Sequence, residues 1–354
     1  MRVFYQYRRL LMAGILFSSL SACSSIDYFS HLAKGQLSLL WHREDVAELL
    51  NSEDVSEDLK ARLMLSQKIR EFAERQLALP VGEAYTEYTD LKRRYVVWNV
   101  YAAPELSLES YTWCYPFIGC LAYRGFYEES RAEHAAKQLQ EQGFDVKVGG
   151  VQAYSTLGVF DDPLLNTFMF QNEVALVELL IHEIAHRKIY IKDDTKFNEN
   201  FATAVALLGA EQWYQEAGNH AIYDAYQDQK KKFQKVLDFV LNYKERLTEV
   251  FNNTSFSEQD KKRLKVEIYQ TMQKEFDVLK SQHDLDSRYD KWIQTLNNAG
   301  LATLANYQEL VPGFLELFEQ QGRNWQAFYD EVAQLAELDK ETRHQALSLK
   351  NEAH

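Results

Sequence analysis

The most informative segment of the sequence is Glu178-Leu-Leu-Ile-His182-Glu183-Ile-Ala-His186. Apolar residues recur around it at helical spacing, which predicts a largely buried helix. On a helix, His182 and His186 lie one turn apart on the same face, so both imidazoles can bind one metal ion. Glu183 lies beside that face, where its carboxylate can take a proton from a water molecule. The alternative is a pair of core histidines whose hydrogen bonds are satisfied inside the protein.

A catalytic zinc site needs a third protein ligand and an open fourth position. Glu199 follows His186 by thirteen residues, within Phe197-Asn-Glu-Asn-Phe-Ala202. We expect the second helix to return over the first as an αα-hairpin that brings Glu199 to the histidines. The three-histidine spacing H-E-x-x-H-x-x-G-x-x-H is absent, which leaves a His-His-Glu site. Glu211 and Glu216 are weaker candidates, and Glu199 could instead be an acid that complements a helix N-terminus.

The first 22 residues resemble a bacterial export signal, with three arginines and no acid before a short apolar run. That run is too short to span a bilayer as a helix. The tetrapeptide Leu20-Ser-Ala-Cys23 resembles a lipobox, which implies cleavage before Cys23 and lipidation of its thiol. Ser24 after the cysteine then implies an outer-membrane anchor facing the periplasm. A plain secretory signal with a chance cysteine is the alternative.

Export would place the rest of the chain in an oxidising compartment. Two cysteines remain there, Cys114 and Cys120, within Trp-Cys-Tyr-Pro-Phe-Ile-Gly-Cys. A zinc site is a poor interpretation of this pair, because no second Cys or His pair lies near it. We therefore expect a disulfide that closes a small loop, with two buried free thiols as the alternative.

Composition and charge exclude several classes of protein. The chain has 354 residues, of which 46% are hydrophobic and 26% charged, so it can bury a large core and is not a disordered chain. Lys and Arg number 39 against 52 Asp and Glu, a net charge of −13. This balance argues against nucleic acid as the main partner, because phosphate binding needs a cationic patch.

The chain divides into four expected parts. Residues 1–22 are the signal, 23–80 a helical segment after the lipid anchor, 81–216 the catalytic core, and 217–354 a helical region. Residues 94–101 predict a strand and residues 128–142 a helix. Alternation over residues 144–157 around Gly149-Gly150 is typical of a β-hairpin. We expect an α+β fold with a small antiparallel sheet and a predominantly helical C-terminal half.

Two segments carry a resemblance to known proteins. His182-Glu-Ile-Ala-His186 together with Asn198-Glu-Asn-Phe-Ala202 is similar to the zinc aminopeptidases of the gluzincin class, whose second motif reads N-E-x-F-A. The chain more closely resembles a family of bacterial proteins described as predicted aminopeptidases. The matching segments include Trp113-Cys, Gly119-Cys, Tyr123-Arg-Gly125, Asp162-Pro163, Asn297-Asn-Ala299 and Val311-Pro312. The resemblance implies a zincin-like metallopeptidase core that binds Zn²⁺ and cleaves a peptide substrate.

The chain departs from the zinc aminopeptidases at two places. One turn after Glu199, thermolysin-like enzymes carry an Asp that orients a ligand histidine, and this chain has Thr203. A G-x-M-E-N segment, which holds the free amine of the substrate in many zinc aminopeptidases, is absent. An endopeptidase or amidase acting on envelope polymers is therefore an alternative. A non-catalytic envelope lipoprotein with a structural zinc is another.

Further residues are expected to support the reaction. In zinc peptidases, an edge strand before the metal helix pairs with extended substrate, and the residues in that position are Tyr154, Ser155, Thr156, Leu157 and Gly158. A plain structural hairpin is the alternative there. Peptide hydrolysis also needs a donor to the oxyanion, for which we favour Tyr307 over Tyr154 and Tyr190. Glu178, one turn before His182, is expected to be an exposed helix acid, with a role in orienting an imidazole as the alternative.

Overall fold

The computed structural model describes residues 28, 30–32, 34–35, 37–38, 41–115, 119–153, 161–304 and 309–348. Its elements follow one another along the chain in this order: β1 (Glu44–Asp45), α1 (Val46–Asn51), α2 (Glu57–Arg75), β2 (Glu87–Thr89), β3 (Val97–Pro104), β4 (Trp113–Tyr115), β5 (Gly119–Leu121), β6 (Arg124–Phe126), α3 (Glu129–Glu141), β7 (Phe144–Val151), β8 (Leu164–Leu165), α4 (Asn166–Met169), α5 (Glu173–Ala185), α6 (Thr195–Glu216), α7 (His220–Asn252), α8 (Glu258–His283), α9 (Arg288–Gln294), α10 (Asn298–Ala302), α11 (Val311–Gln320), α12 (Trp325–Ala336) and α13 (Lys340–Ser348).

The strands form small sheets beside a much larger set of helices. β3 lies at the centre of one sheet and pairs antiparallel with β6 and with β7. In a second sheet β2 pairs antiparallel with β1 but parallel with β8. β4 and β5 form a hairpin that carries a disulfide between Cys114 and Cys120, as predicted. The expected mixture of helix and sheet is confirmed, although one of the strand pairs is parallel.

The predicted hairpin turn at Gly149-Gly150 is wrong. β7 continues through both glycines, which pair with Asn99 and Trp98 of β3. A Cβ atom at Gly150 would lie 2.3 Å from the ring of Tyr95. Glycine at this position therefore lets an aromatic ring lie directly against the strand backbone instead of forming a turn.

α5 and α6 form the predicted αα-hairpin. Asn172 caps α5 by accepting a hydrogen bond from the backbone N–H of Val174 at 2.9 Å, and Asp194 caps α6 by accepting from Phe197 at 3.2 Å. The two helices pack against each other. Gly209 allows their close approach, since a Cβ atom there would lie 3.1 Å from the Ile181 side chain of α5 and 2.7 Å from Leu77. The hairpin is therefore packed within the core.

Among the residues that the structure describes, three hydrophobic clusters stabilise the fold. The largest joins α5 and α6 to α2 and to the C-terminal helices α11, α12 and α13. Within it Phe314 of α11 packs edge-on against Phe197 and Phe201 of α6. A second cluster lies among α7, α8 and α9, and a third lies between α3 and the sheet of β3, β6 and β7. Helices distant in sequence therefore surround the α5–α6 hairpin.

Two asparagines join the helical second cluster to the sheet. Asn297 donates to the carbonyl oxygen of Val146 in β7 at 2.9 Å. Buried Asn298 donates to the carbonyl oxygen of Pro104, the last residue of β3, and to those of Glu105 and Ser107 in the segment after it. The Asn297-Asn-Ala299 segment is therefore a structural connection between sheet and helices.

In the described ranges, no helix combines the length and apolar character needed to cross a bilayer.

Candidate active site

α5 and α6 bring His182, His186 and Glu199 together. The Nε2 atom of His182 lies 3.2 Å from Oε2 of Glu199 and 3.2 Å from Nε2 of His186. Nε2 of His186 lies 3.7 Å from Oε1 of Glu199. Each of the three residues offers one possible metal-ligand atom, and these three atoms all lie within 4.8 Å of one another. The structure thus places these three side chains around one point, as the spacing predicts.

The two competing acids lie elsewhere on α6. Glu211 accepts a hydrogen bond from Arg323 at 2.8 Å, and Glu216 accepts one from Gln212 at 2.9 Å. Both contacts are on the exposed side of the helix. Among the acids of α6, Glu199 is therefore the one that meets the histidine pair.

The donor set fits a tetrahedral divalent cation. Atoms bound at about 2.0–2.1 Å to a tetrahedral zinc are about 3.3 Å from one another. The distances from His182 Nε2 to its two neighbours are both 3.2 Å. Two imidazole nitrogens and a carboxylate that face one another direct several lone pairs to the same point. A bound cation would satisfy all of them at once.

The cluster is buried on one side and open on the other. The His186 side chain is 3% exposed, whereas His182 is 20% and Glu199 36% exposed. Burial, reinforced by His182, lowers the pKa of His186 to about 4. Burial alone would raise the pKa of Glu199, but the hydrogen bond from His182 and the nearby His186 lower it overall. Neutral imidazole and ionised carboxylate are the forms that bind metal.

The backbone around Glu199 is held by asparagines on both sides. Asn198 donates to the carbonyl oxygen of Ile191 at 2.7 Å and accepts from its N–H at 2.8 Å, which closes the loop between the helices. Asn200 is fully buried, and its Oδ1 atom accepts from the N–H groups of Leu310 and Val311 at 2.9 and 3.0 Å. Glu199 is therefore oriented by contacts to its own loop and to the start of α11.

A buried ionic cluster holds the N-terminus of α6. Asp194, 1% exposed, accepts from Arg343 Nε at 2.8 Å and contacts His344 Nε2 at 2.9 Å. Burial acts to raise the pKa of Asp194, but the hydrogen bonds from Arg343 and Phe197 lower it overall. The last helix of the described chain is thereby attached to the helix that carries Glu199. Sequence reasoning missed this cluster, because its members are about 150 residues apart and no local pattern links them.

The Glu183 side chain lines a cleft beside His182, His186 and Glu199. The cleft has a volume of about 380 Å³ and lies among α5, α6 and α7, with His182, Glu183 and Thr203 among its lining residues. Among the described residues, nothing hydrogen-bonds the buried Nδ1 atom of His186. The candidate base Glu183 and the metal-ligand candidate His182 therefore line the same cleft.

The expectation for Glu178 is wrong. Its side chain is only 13% exposed, and both carboxylate oxygens accept from Lys230 of α7, at 3.1 and 3.0 Å. The hydroxyl of Tyr226 donates to the same carboxylate at 3.3 Å. Burial raises the pKa of Glu178 in spite of these partners. The acid is largely shielded from solvent because α7 packs over this face of α5, a contact that helical periodicity does not predict.

Several predicted residues lie outside the described part of the chain. They are Cys23, Tyr154, Ser155, Thr156, Leu157, Gly158 and Tyr307. Their expected roles in lipidation, substrate binding and oxyanion stabilisation stay predictions. Tyr190, the other tyrosine weighed for the oxyanion, is half exposed at 50%.

Comparison with known proteins found a family model that matches most of the chain. Residues 27–347 match the family described as "Putative aminopeptidase". The search of curated proteins found no match, and neither did the search of solved structures. The matched span contains the α5–α6 hairpin, the histidine and glutamate cluster, the cleft and the surrounding helices. The chain therefore belongs to this aminopeptidase family.

Proposed function

We propose that the chain is a zinc-dependent aminopeptidase that hydrolyses short peptides in the bacterial cell envelope. The observation that carries this proposal is the convergence of His182, His186 and Glu199 beside a cleft that Glu183 also lines. Membership of the family supports peptidase activity. We further propose that α5 and α6 form a zincin-like core.

The proposed mechanism divides the roles among four side chains. His182, His186 and Glu199 would hold the zinc ion through two nitrogens and a carboxylate. Zinc bound there supplies Lewis-acid chemistry, which acidifies water and polarises a peptide carbonyl. Glu183 takes the proton from the attacking water and returns it to the leaving nitrogen. Because Glu183 and both histidines are supplied by one helix and its C-cap, α5 sets the position of the base relative to the ligands.

The specificity part of the proposal is tested with paired peptides. We expect purified protein to carry about one zinc ion per chain and to cleave a free-amine peptide faster than its N-acetylated form. The pair is compared by kcat/KM, with zinc measured on the same sample. Equal or faster cleavage of the blocked peptide would favour an endopeptidase or amidase. Bound zinc with no cleavage of either would favour a structural zinc in a non-catalytic lipoprotein.

The envelope location rests on Cys23 and has its own test. We propose that the chain is cleaved before Cys23 and anchored through lipids on that thiol. Cells supplied with labelled palmitate should incorporate label into the wild-type protein and lose it in Cys23→Ala, because alanine offers no thiol. Label retained in Cys23→Ala would remove the lipid anchor from the proposal.

A further inference from the structure

The cleft beside the proposed metal site is lined by both apolar and charged side chains. Four of its lining residues are small or branched apolar residues, Ala175, Leu179, Ala206 and Leu207, and a polar group is formed by Glu178, Tyr226 and Lys230. Its volume of about 380 Å³ is at the lower end of small-molecule pockets, about 300–1,000 Å³. The space therefore suits a short peptide fragment and not a folded protein.

The position of Glu183 indicates which part of a substrate enters this cleft. In the proposed reaction, Glu183 delivers a proton to the nitrogen that leaves, so the leaving fragment must begin next to its carboxylate. The cleft extends from Glu183 and His182 along α5 towards Glu178, one helical turn away. The residues that follow the scissile bond therefore lie along this face of α5.

The distance from the proposed metal site to Glu178 sets how far that fragment must reach. Four residues of helix separate Glu178 from His182, which corresponds to about 6 Å along the helix axis. Each residue of an extended peptide spans about 3.3–3.6 Å. One or two residues after the scissile bond thus bring the end of the fragment to the level of Glu178 and Lys230. In a di- or tripeptide that end is a carboxylate.

Lys230 is the accessible member of the charged pair. Its side chain is 35% exposed, compared with 13% for Glu178. Within the described residues its ammonium group donates to the two Glu178 oxygens and lies 5.5 Å from the ring centre of Tyr226. An ammonium group has three N–H donors, so one remains after two are used on Glu178. Lys230 can therefore donate to a substrate without leaving its partner.

Glu178 is less suited to meet a substrate. Both of its oxygens already accept hydrogen bonds, two from Lys230 and one from Tyr226, and it is the more buried partner. These contacts hold the lysine in place at the wall of the cleft. Glu178 and Tyr226 are thus positioning residues for Lys230.

We propose that Lys230 binds the C-terminal carboxylate of a di- or tripeptide substrate. The inference rests on the proposed function and deepens it by naming the substrate class, short peptides with a free carboxylate. The carboxylate of the leaving fragment pairs with the Lys230 ammonium group, and the fragment side chain lies against the apolar residues that line the cleft.

The experiment compares one tripeptide acid with the corresponding tripeptide amide. We expect wild-type protein to cleave the acid with a kcat/KM about 10- to 100-fold higher than the amide, mostly through KM, because a charge-assisted hydrogen bond is lost in the amide. Lys230→Met should remove this preference, so that the ratio of kcat/KM for acid and amide falls to about 1. Lys231→Met is the matched control, since Lys231 is 75% exposed and pairs with Asp228.

A double variant shows whether a loss in Lys230→Met comes from misfolding. Lys230→Met leaves the buried Glu178 carboxylate without its cation, which is destabilising, so Glu178→Gln combined with Lys230→Met removes both charges together. We expect the double variant to lose the acid preference too. Equal wild-type rates on acid and amide, or an equal loss on both in either variant, would overturn the inference.

Two further outcomes separate this inference from the proposed function. A loss in Glu178→Gln confined to free-amine peptides would assign the pair to the substrate amine and overturn the role of Lys230. If wild-type protein cleaves neither peptide, the proposed function fails. Calorimetric binding of the same acid and amide to wild type and Lys230→Met then still decides the inference, which requires tighter binding of the acid by wild type alone.

Discussion

Glu183→Gln is expected to lower kcat/KM for a free-amine peptide by about 10²- to 10⁴-fold while zinc content stays unchanged. Glutamine has nearly the same size as glutamate and can still lie in the cleft, but it cannot accept a proton from water at neutral pH. The three proposed metal ligands are untouched by the change. Steady-state kinetics on samples of measured zinc content would show the effect as a loss of turnover.

Glu173→Gln is the matched control for this experiment. It makes the same chemical change in the first turn of the same helix, at an exposed position. We expect its activity to remain close to that of wild type. If Glu183→Gln folds normally and keeps full activity, the hydrolase proposal is refuted, because a structural zinc has no need of a neighbouring base.

Glu199→Gln is expected to weaken zinc binding by at least about 100-fold and to reduce activity with it. Substitutions of groups that merely orient a ligand cost about 10- to 100-fold in metal affinity, so the loss of a charged ligand should cost at least the upper value. Competition with a metal chelator of known affinity would measure the change directly, independently of turnover.

Glu211→Gln provides the comparison for the metal experiment. Glu211 lies on the same helix, α6, but pairs with Arg323 and does not meet the histidines. Its substitution should leave zinc affinity unchanged. Unchanged zinc affinity in Glu199→Gln would contradict the ligand assignment. A loss in Glu211→Gln as large as that in Glu199→Gln would show that the effect belongs to the helix and not to the site.

Several elements of the fold, including the helix that carries both histidines, follow from short-range sequence patterns. The apolar periodicity around His182 predicts a buried helix, and α5 spans Glu173–Ala185. The strand predicted over residues 94–101 begins at Val97, and the helix predicted over 128–142 spans Glu129–Glu141. These features depend on neighbours a few residues away, where backbone geometry limits the possibilities.

The sequence predictions are wrong where contacts with a distant segment override the structure that a local pattern favours. Gly149-Gly150 has the composition of a turn, but Tyr95 and strand β3 make it part of a continuous strand. Glu178 has the spacing of an exposed helix acid. Its carboxylate instead pairs with Lys230, 52 residues further along the chain, and is largely shielded from solvent. Neither Tyr95 nor Lys230 can be identified as a partner from its own neighbourhood in the sequence.

Spacing along the chain predicts that His182 and His186 share a face, because a helix brings residues four apart onto the same side. The expected return of the next helix brings Glu199 towards them. The folded chain determines what surrounds these residues. Asn200 holds Leu310, 110 positions away, and the cleft acquires Tyr226 and Lys230 from α7. The physical reason is that helical periodicity is a property of the backbone. Contacts between distant segments instead depend on how the whole chain packs, which no single window of sequence contains.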